Sequence, residues 1–125
     1  RGAMGRRAKS RFELEAAMLR LKKLERDVAN EARDAAREVA NGQQRIRAAA
    51  AARDLAEKKL EAEMSKFEEG ASNSFNVLLY QQDLAAQRAR EARAKVDYLV
   101  AKAMLARATG QTLEFNGISL GAAPR

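Results

Sequence analysis

The chain has 125 residues, enough for one small domain, with 33% charged residues, 5% aromatics and a single proline, Pro124, close to the end. It has no Cys and no His. That excludes disulfides, zinc ligation, thiol nucleophiles and imidazole bases together, and a metal site would need carboxylates alone. The net charge of +7 is concentrated at one end, where Arg1, Arg6, Arg7, Lys9 and Arg11 stand with no acid among residues 1–11. Beyond them acids and bases nearly cancel, as on an interspersed, solvated helix surface.

Alanine, glutamate, lysine, leucine and arginine dominate, the composition of long helices and coiled coils. No stretch approaches the ~18 apolar residues of a membrane-spanning helix, and no signal peptide is present. The opening Arg1-Gly2-Ala3-Met4-Gly5 has the pattern of a tag-cleavage remnant, so residues 1–9 are read as a remnant plus a basic lead-in, with a native leader removed upstream. The fold class expected is all-α: a long antiparallel helical hairpin, or coiled coil, with a short irregular tail.

The first helix is expected over residues 10–69. Between Ser10 and Glu69 there is no proline and one glycine, Gly42. Apolar residues recur seven apart at Leu14, Leu21, Val28 and Ala35, with Leu24, Ala32 and Val39 filling the three- and four-residue steps. Ile46, Ala49, Ala52, Ala56, Leu60, Met64 and Phe67 continue the same face. Gly42 costs about 1 kcal/mol relative to alanine and marks a bend or a close approach of a neighbour.

The turn is expected at residues 70–73. Gly70 suits the left-handed residue that closes a helix. Asn73 suits the N-cap of the next one, with Asn76 three residues on as a weak capping box. The second helix is expected over residues 74–108, its stripe formed by Phe75, Leu78, Ala85, Ala89, Ala92, Val96, Leu99 and Ala103. Thr109-Gly110 ends it. Residues 109–125, with Leu113, Phe115, Ile118 and Leu120 among Gly and Asn, are expected as an irregular tail, extended or unstructured.

If the hairpin turns about Ala71–Ser72, residues equidistant from that point face one another. Met64 then meets Leu78 and Leu79, Leu60 meets Leu84, Ile46 meets Val96, and Val39 meets Met104 and Leu105. The run Ala48–Ala52 meets Ala89 and Ala92. Large residues meet large, and alanine against alanine lets two backbones approach closely. The first helix is longer than the second can cover, leaving Leu14, Leu21, Leu24 and Val28 as an unpaired stripe. Such a stripe calls for another helix. It is therefore read as an oligomerisation surface, one through which the fragment self-associates.

The run Met64-Ser65-Lys66-Phe67-Glu68-Glu69-Gly70-Ala71-Ser72-Asn73-Ser74-Phe75-Asn76-Val77-Leu78 resembles the periplasmic tip of the TolC-like outer-membrane efflux proteins. Val96-Asp97-Tyr98-Leu99 and Leu105-Ala106-Arg107-Ala108-Thr109-Gly110 resemble the end of the returning helix in that family. Leu113-Glu114-Phe115-Asn116-Gly117-Ile118 is similar to the family segment just beyond that helix, and Arg6-Arg7-Ala8-Lys9-Ser10-Arg11 to the point where the chain leaves the barrel. The resemblance spans about residues 6–118. It implies a segment of a homotrimeric channel in a tripartite efflux or type I secretion system, anchored in the outer membrane with this part in the periplasm. The implied partners are a periplasmic adaptor (membrane fusion) protein and, indirectly, an inner-membrane pump.

Carried over by position, the adaptor-binding tip is Phe67, Gly70, Ala71, Ser72 and Asn73, and the pore-constriction positions are Asn76 and Leu79. Family members carry acids at the position of Asn76, and some at that of Leu79. This chain has neither, and Phe67 and Ser72 replace a latching hydroxyl and arginine, so a charge-based gate is not implied. No catalytic residue, cofactor or metal is expected, and the chain is read as a non-enzyme. Two other readings stand beside this one. A stand-alone coiled-coil scaffold or oligomerisation module predicts stable isolated dimers. A basic nucleic-acid-binding hairpin predicts salt-sensitive affinity residing in residues 1–11, and the near-neutral remainder argues against it.

Overall fold

The computed structural model describes residues 2–119, with side chains from Met4 onward. Arg1 and the end of the tail from Leu120, Pro124 included, lie outside the described residues. Among the described residues three helices occur in order: α1 (Gly2–Glu68), α2 (Ser74–Ala108) and the short α3 (Thr112–Phe115). The protein is all-α, and its two long helices pack as a hairpin.

Two boundaries differ from expectation. Helix α1 begins at Gly2, not near residue 10, because nothing between Gly2 and Ser10 interrupts the helical backbone. Within the tail a one-turn helix forms at Thr112–Phe115 where an extended or unstructured segment was expected. It packs on α2, and Lys102 Nζ lies 5.7 Å from the centre of the Tyr98 ring and 5.5 Å from that of Phe115. That cation between two rings ties the segment back.

All three helices end by one device. Gly70, Gly110 and Gly117 adopt φ of 77°, 74° and 68°, a region that costs an L-residue its Cβ contacts. After α1, Gly70 N donates to Phe67 O and Ala71 N to Lys66 O (3.0 and 2.8 Å). The same pair of bonds recurs as Gly110 N to Arg107 O with Gln111 N to Ala106 O, and as Gly117 N to Glu114 O with Ile118 N to Leu113 O. These are Schellman closures, which satisfy carbonyls that the helix leaves free. Helix α2 opens on Asn73, whose side chain accepts from Asn76 N at 2.9 Å. The Asn76 amide does not complete a capping box. It donates to Ser72 Oγ at 3.4 Å.

The chain divides into two compact units, residues 1–34 and 35–125. In the first, Leu14, Met18, Leu21, Leu24 and Val28 are all exposed. The second holds the hairpin. Its α1 residues withdrawn from solvent include Ala35, Val39, Gly42, Ile46, Ala49, Arg53, Ala56, Leu60 and Glu63, in strictly alternating steps of four and three. Those of α2 include Val77, Tyr80, Leu84, Gln87, Glu91, Ala94, Tyr98, Ala101, Leu105 and Ala108, with the same alternation. Each is a coiled-coil seam of period 3.5.

The register is fixed where Gly42 passes beneath Tyr98: a Cβ built on Gly42 would lie 3.2 Å from Tyr98 Cδ2. Gly42 and Tyr98 are equally distant from Gly70, while the contacts nearer the tip, Arg53–Glu91 and Glu57–Arg88, are centred on Ser72 and just beyond it. The turn point expected at Ala71–Ser72 lies between them. Leu60 and Leu84, expected to face one another, border one shallow depression. Other expected pairs are corrected: Val96, the partner read for Ile46, is exposed, and so are Met64, Leu78 and Leu79.

The α2 stripe read from sequence stands two residues ahead of the seam positions, and two residues turn a helix by about 200°. The α2 stripe of Phe75, Leu78, Ala85, Ala89, Ala92, Val96, Leu99 and Ala103 is therefore not the hairpin seam, and every one of these residues is exposed. On α1, Met64 and Phe67 are also exposed, with Glu63 taking the seam position.

Replacing Gly42 by leucine should drive side-chain volume into Tyr98 and lower stability by about 1–3 kcal/mol, despite leucine's better helix propensity. Thermal melts by circular dichroism, with Gly42→Leu also made in a Tyr98→Ala background, will test this. The glycine substitution should cost clearly less there, and equal costs in both backgrounds would refute the contact.

Candidate functional site

The tip is built around a carboxylate. Glu63, 7% exposed, ends the α1 seam. It accepts from Ser72 Oγ and stands 3.6 Å from Lys66 Nζ. Asn76 Nδ2 reaches the same Ser72 oxygen. The chain Glu63–Ser72–Asn76 therefore stitches the last turn of α1 to the turn segment and the first turn of α2. Of the tip residues carried over from the family resemblance, Phe67, Gly70, Ala71 and Asn73 are exposed at the end of the hairpin, whereas Ser72 is half-buried in this network. Phe67 and Phe75 share a shallow cleft with Ser74, Val77, Leu78 and Gln81, and both rings remain largely open to solvent. The two constriction positions, Asn76 and Leu79, border a different, more polar depression with Glu63, Lys66, Ala71, Tyr80 and Asp83.

Halfway along the hairpin the alanine seam is crossed by ions. Arg53 and Glu91 are both seam residues, and Arg53 Nε donates to Glu91 Oε2 at 2.6 Å. Arg53 Nη1 also meets Glu57 at 3.0 Å and Asp54 at 2.9 Å. Arg88 reaches across to Glu57 at 3.0 Å, and Lys95 sits 2.7 Å from Glu91. Three cations balance three carboxylates. The Lys95 hydrogen bond, then that of Arg53, holds the Glu91 carboxyl below its ordinary range despite some desolvation. The Arg88 hydrogen bond does the same for Glu57. Only Glu91 is substantially withdrawn from water, at 12% side-chain exposure, so this is a partly solvated network and not a buried pair. A second polar bridge spans the helices further from the tip, where Gln43 Nε2 donates to Tyr98 Oη at 3.3 Å.

The back of α2 is the third feature. Its positions off the seam run from Phe75 to Ala103 and include Leu78, Leu79, Ala85, Ala86, Ala89, Ala92, Val96, Leu99 and Val100, with Gln82 and Arg93 as the only polar members; at the tip end Phe75, Leu78 and Leu79 also border the clefts shared with α1. Phe75 and Leu99 are 64% and 60% exposed. In a two-stranded coil these positions normally carry charge. The corresponding back of α1 does so, with Arg37, Arg47, Asp54, Lys58 and Glu61 among its residues. Helix α2 thus has two apolar faces on opposite sides, one filled by α1 and one open.

The sequence reading found the open face and took it for the filled one. It missed the ion cluster and the Glu63 network because both put charge on seam positions. The available signal was the unbroken four-three spacing from Val77 to Ala108. Among the described residues no group of acids is arranged to hold a metal ion, and no helix is long and apolar enough to cross a membrane. No protein-family model, curated protein or solved structure matches the chain.

Acid titration and a serine deletion probe the two networks. Because the folded-state pKa values of Glu57 and Glu91 are depressed, their stabilisation is complete at neutral pH. It is lost as pH falls from the ordinary carboxylate range through the lower folded values. The melting temperature should drop over that acid window, and Glu91→Gln should lower it at neutral pH while flattening the acid response. An acid profile identical in both proteins would exclude Glu91 as a contributor. At the tip, Ser72→Ala removes a hydrogen bond to a buried carboxylate and should cost about 1 kcal/mol in urea unfolding. No change would mean that Glu63 is satisfied without Ser72.

Proposed function

We propose that the chain is the C-terminal periplasmic hairpin of a TolC-like outer-membrane channel, its tip docking a periplasmic adaptor protein of a tripartite export system. The observation that carries this reading is the pair of opposed apolar faces on α2. A helix with apolar surface on both sides has neighbours on both sides. A tunnel whose wall is a closed ring of helices requires that arrangement, whereas an isolated hairpin does not. The tip motif adds support through its order: Phe67, then Gly70 closing α1, then Asn73 capping α2, with Phe67, Ala71 and Asn73 exposed at the end. No chemistry is assigned to the segment. Its part is to form wall and to present a docking end.

This chain's tip differs from a charge-gated one. Asn76 and Leu79 bring no acid to the constriction positions, and the buried carboxylate nearby, Glu63, is consumed in holding Ser72. The tip is therefore read as a rigid docking end whose closure rests on hydrogen bonds within the hairpin. The scaffold reading draws on one observation of its own, the exposed stripe of Leu14, Leu21, Leu24 and Val28 in the first unit. In the channel reading the same stripe lies against neighbouring wall helices of the homotrimer.

The test is photo-crosslinking in the source cells, with the reactive residue placed at Ala71 or Asn73 of the full-length protein. Capture of a periplasmic adaptor from both positions is the expected result. If neither position captures an adaptor while the protein is present in the outer membrane, the docking assignment fails.

A further inference from the structure

The open face of α2 is self-complementary when it is turned end over end. From the tip outward it runs large, small, large: Phe75 and Leu78, then Ala85, Ala89 and Ala92, then Val96 and Leu99. A two-fold axis near Gln87 superposes this sequence on itself. Phe75 then falls opposite Leu99 of a second copy and Leu78 opposite Val96, while Ala85 and Ala89 face each other across the closest approach. An isologous interface requires this kind of palindrome.

Charge selects the same register. On one rim of the face the seven-residue row is Asn76, Asp83, Arg90 and Asp97. About the axis near Gln87, Asp83 lies level with Arg90 of the other copy, and Arg90 with its Asp83, so two reciprocal ion pairs form in place of the contacts that both side chains make with their own Gln87, at 3.0 and 3.4 Å. Shifting one copy by a heptad in either direction sets like against like, with Arg90 near Arg90 and Asp83 near Asp97, or Asp83 near Asp83. On the other rim, Arg88 approaches its own symmetry mate, but each Arg88 already holds Glu57 at 3.0 Å. Helix α3 packs on α2, and Phe75, Leu78, Val96, Leu99 and Val100 of the back face stay exposed.

We infer that two copies of this chain pair antiparallel through the back faces of α2, held in register by Asp83–Arg90 reciprocal pairs. The pairing does not rest on the channel reading. A wall with every tip at one end cannot contain it, so it is the way the face is covered when neighbouring wall helices are absent. The strip is about 38 Å long at ~1.5 Å per residue and about 10 Å wide. It buries roughly 800 Å² in total, below the range of stable specific interfaces and within that of weak, transient ones, so the dimer is weak and concentration-dependent.

Charge reversal tests it on the 125-residue chain by sedimentation equilibrium, with circular dichroism confirming unchanged helicity. Asp83→Arg and Arg90→Asp should each weaken dimerisation about tenfold, since each turns two attractive pairs repulsive. The double variant, and equally a 1:1 mixture of the two single variants, should restore it, because both recreate opposite charges across the axis. Restoration in the mixture beyond either variant alone is specific to this antiparallel register. If all variants associate alike, whether as dimers through another surface or as monomers throughout, the inference is overturned.

Discussion

A seam of alanines can slide. Backbones brought close by small side chains gain dispersion contacts along their whole length, but one alanine layer is nearly equivalent to the next. The constraint on which this hairpin depends is therefore whatever stops the slide. Two features do so. Gly42 accepts the Tyr98 ring where an added Cβ would make a tighter than ordinary contact, at 3.2 Å, which favours one register sterically. Arg53 and Glu91, on seam positions of opposite helices, admit the same register electrostatically, because a heptad shift would strand both charges. Registry is the best-attested use of polar groups in a coiled-coil core. The cluster's partial exposure keeps its desolvation penalty modest while retaining that specificity.

The same constraint dictates the construction of the tip. The seam ends on Glu63, buried against the turn that leads into α2. A carboxylate there needs partners, and Ser72 and Lys66 supply them. The turn is therefore more than a connection of permissive residues. Its glycine sets the reversal, its serine neutralises the polar consequence of where the seam ends, and Asn73 starts the return helix. Shortening or lengthening the turn would move every layer behind it.

Much of this was legible in the residues. Both long helices, the closing glycines at Gly70 and Gly110, the Asn73 cap and the apolar members of the α1 seam (Ala35, Val39, Ile46, Ala49, Ala56 and Leu60) are read from spacing alone, because helix ends and amphipathic period are local properties; the seam's Gly42 and Arg53 are not. The face that α2 turns to α1 was not legible, for a physical reason. The stripe read from sequence stands two positions from the seam, and two positions turn a helix by about 200°. The polar members of the α2 seam, Gln87 and Glu91, then made the true face look less apolar than the false one. The tip network was hidden in the same way: Glu63 reads as a surface acid until the seam is known to end on it.

That mistaken face is itself informative. Ranking faces of α2 by apolarity selects the one pointing away from α1, which means that the intrachain contact is the more polar of the helix's two interfaces. A hairpin whose stability were the sole requirement would place its best apolar stripe inward and its charges outward. Here the inward face carries Glu91, Gln87 and Tyr98, and the outward one carries Phe75, Leu78, Val96 and Leu99. Folding the chain on itself relies on register-setting groups, and the larger apolar surface is left over. Exposed apolar surface of that extent is the kind that marks an interaction face. The hairpin is thus a layer that folds to one register through polar and steric groups while turning the more apolar face of α2 outward.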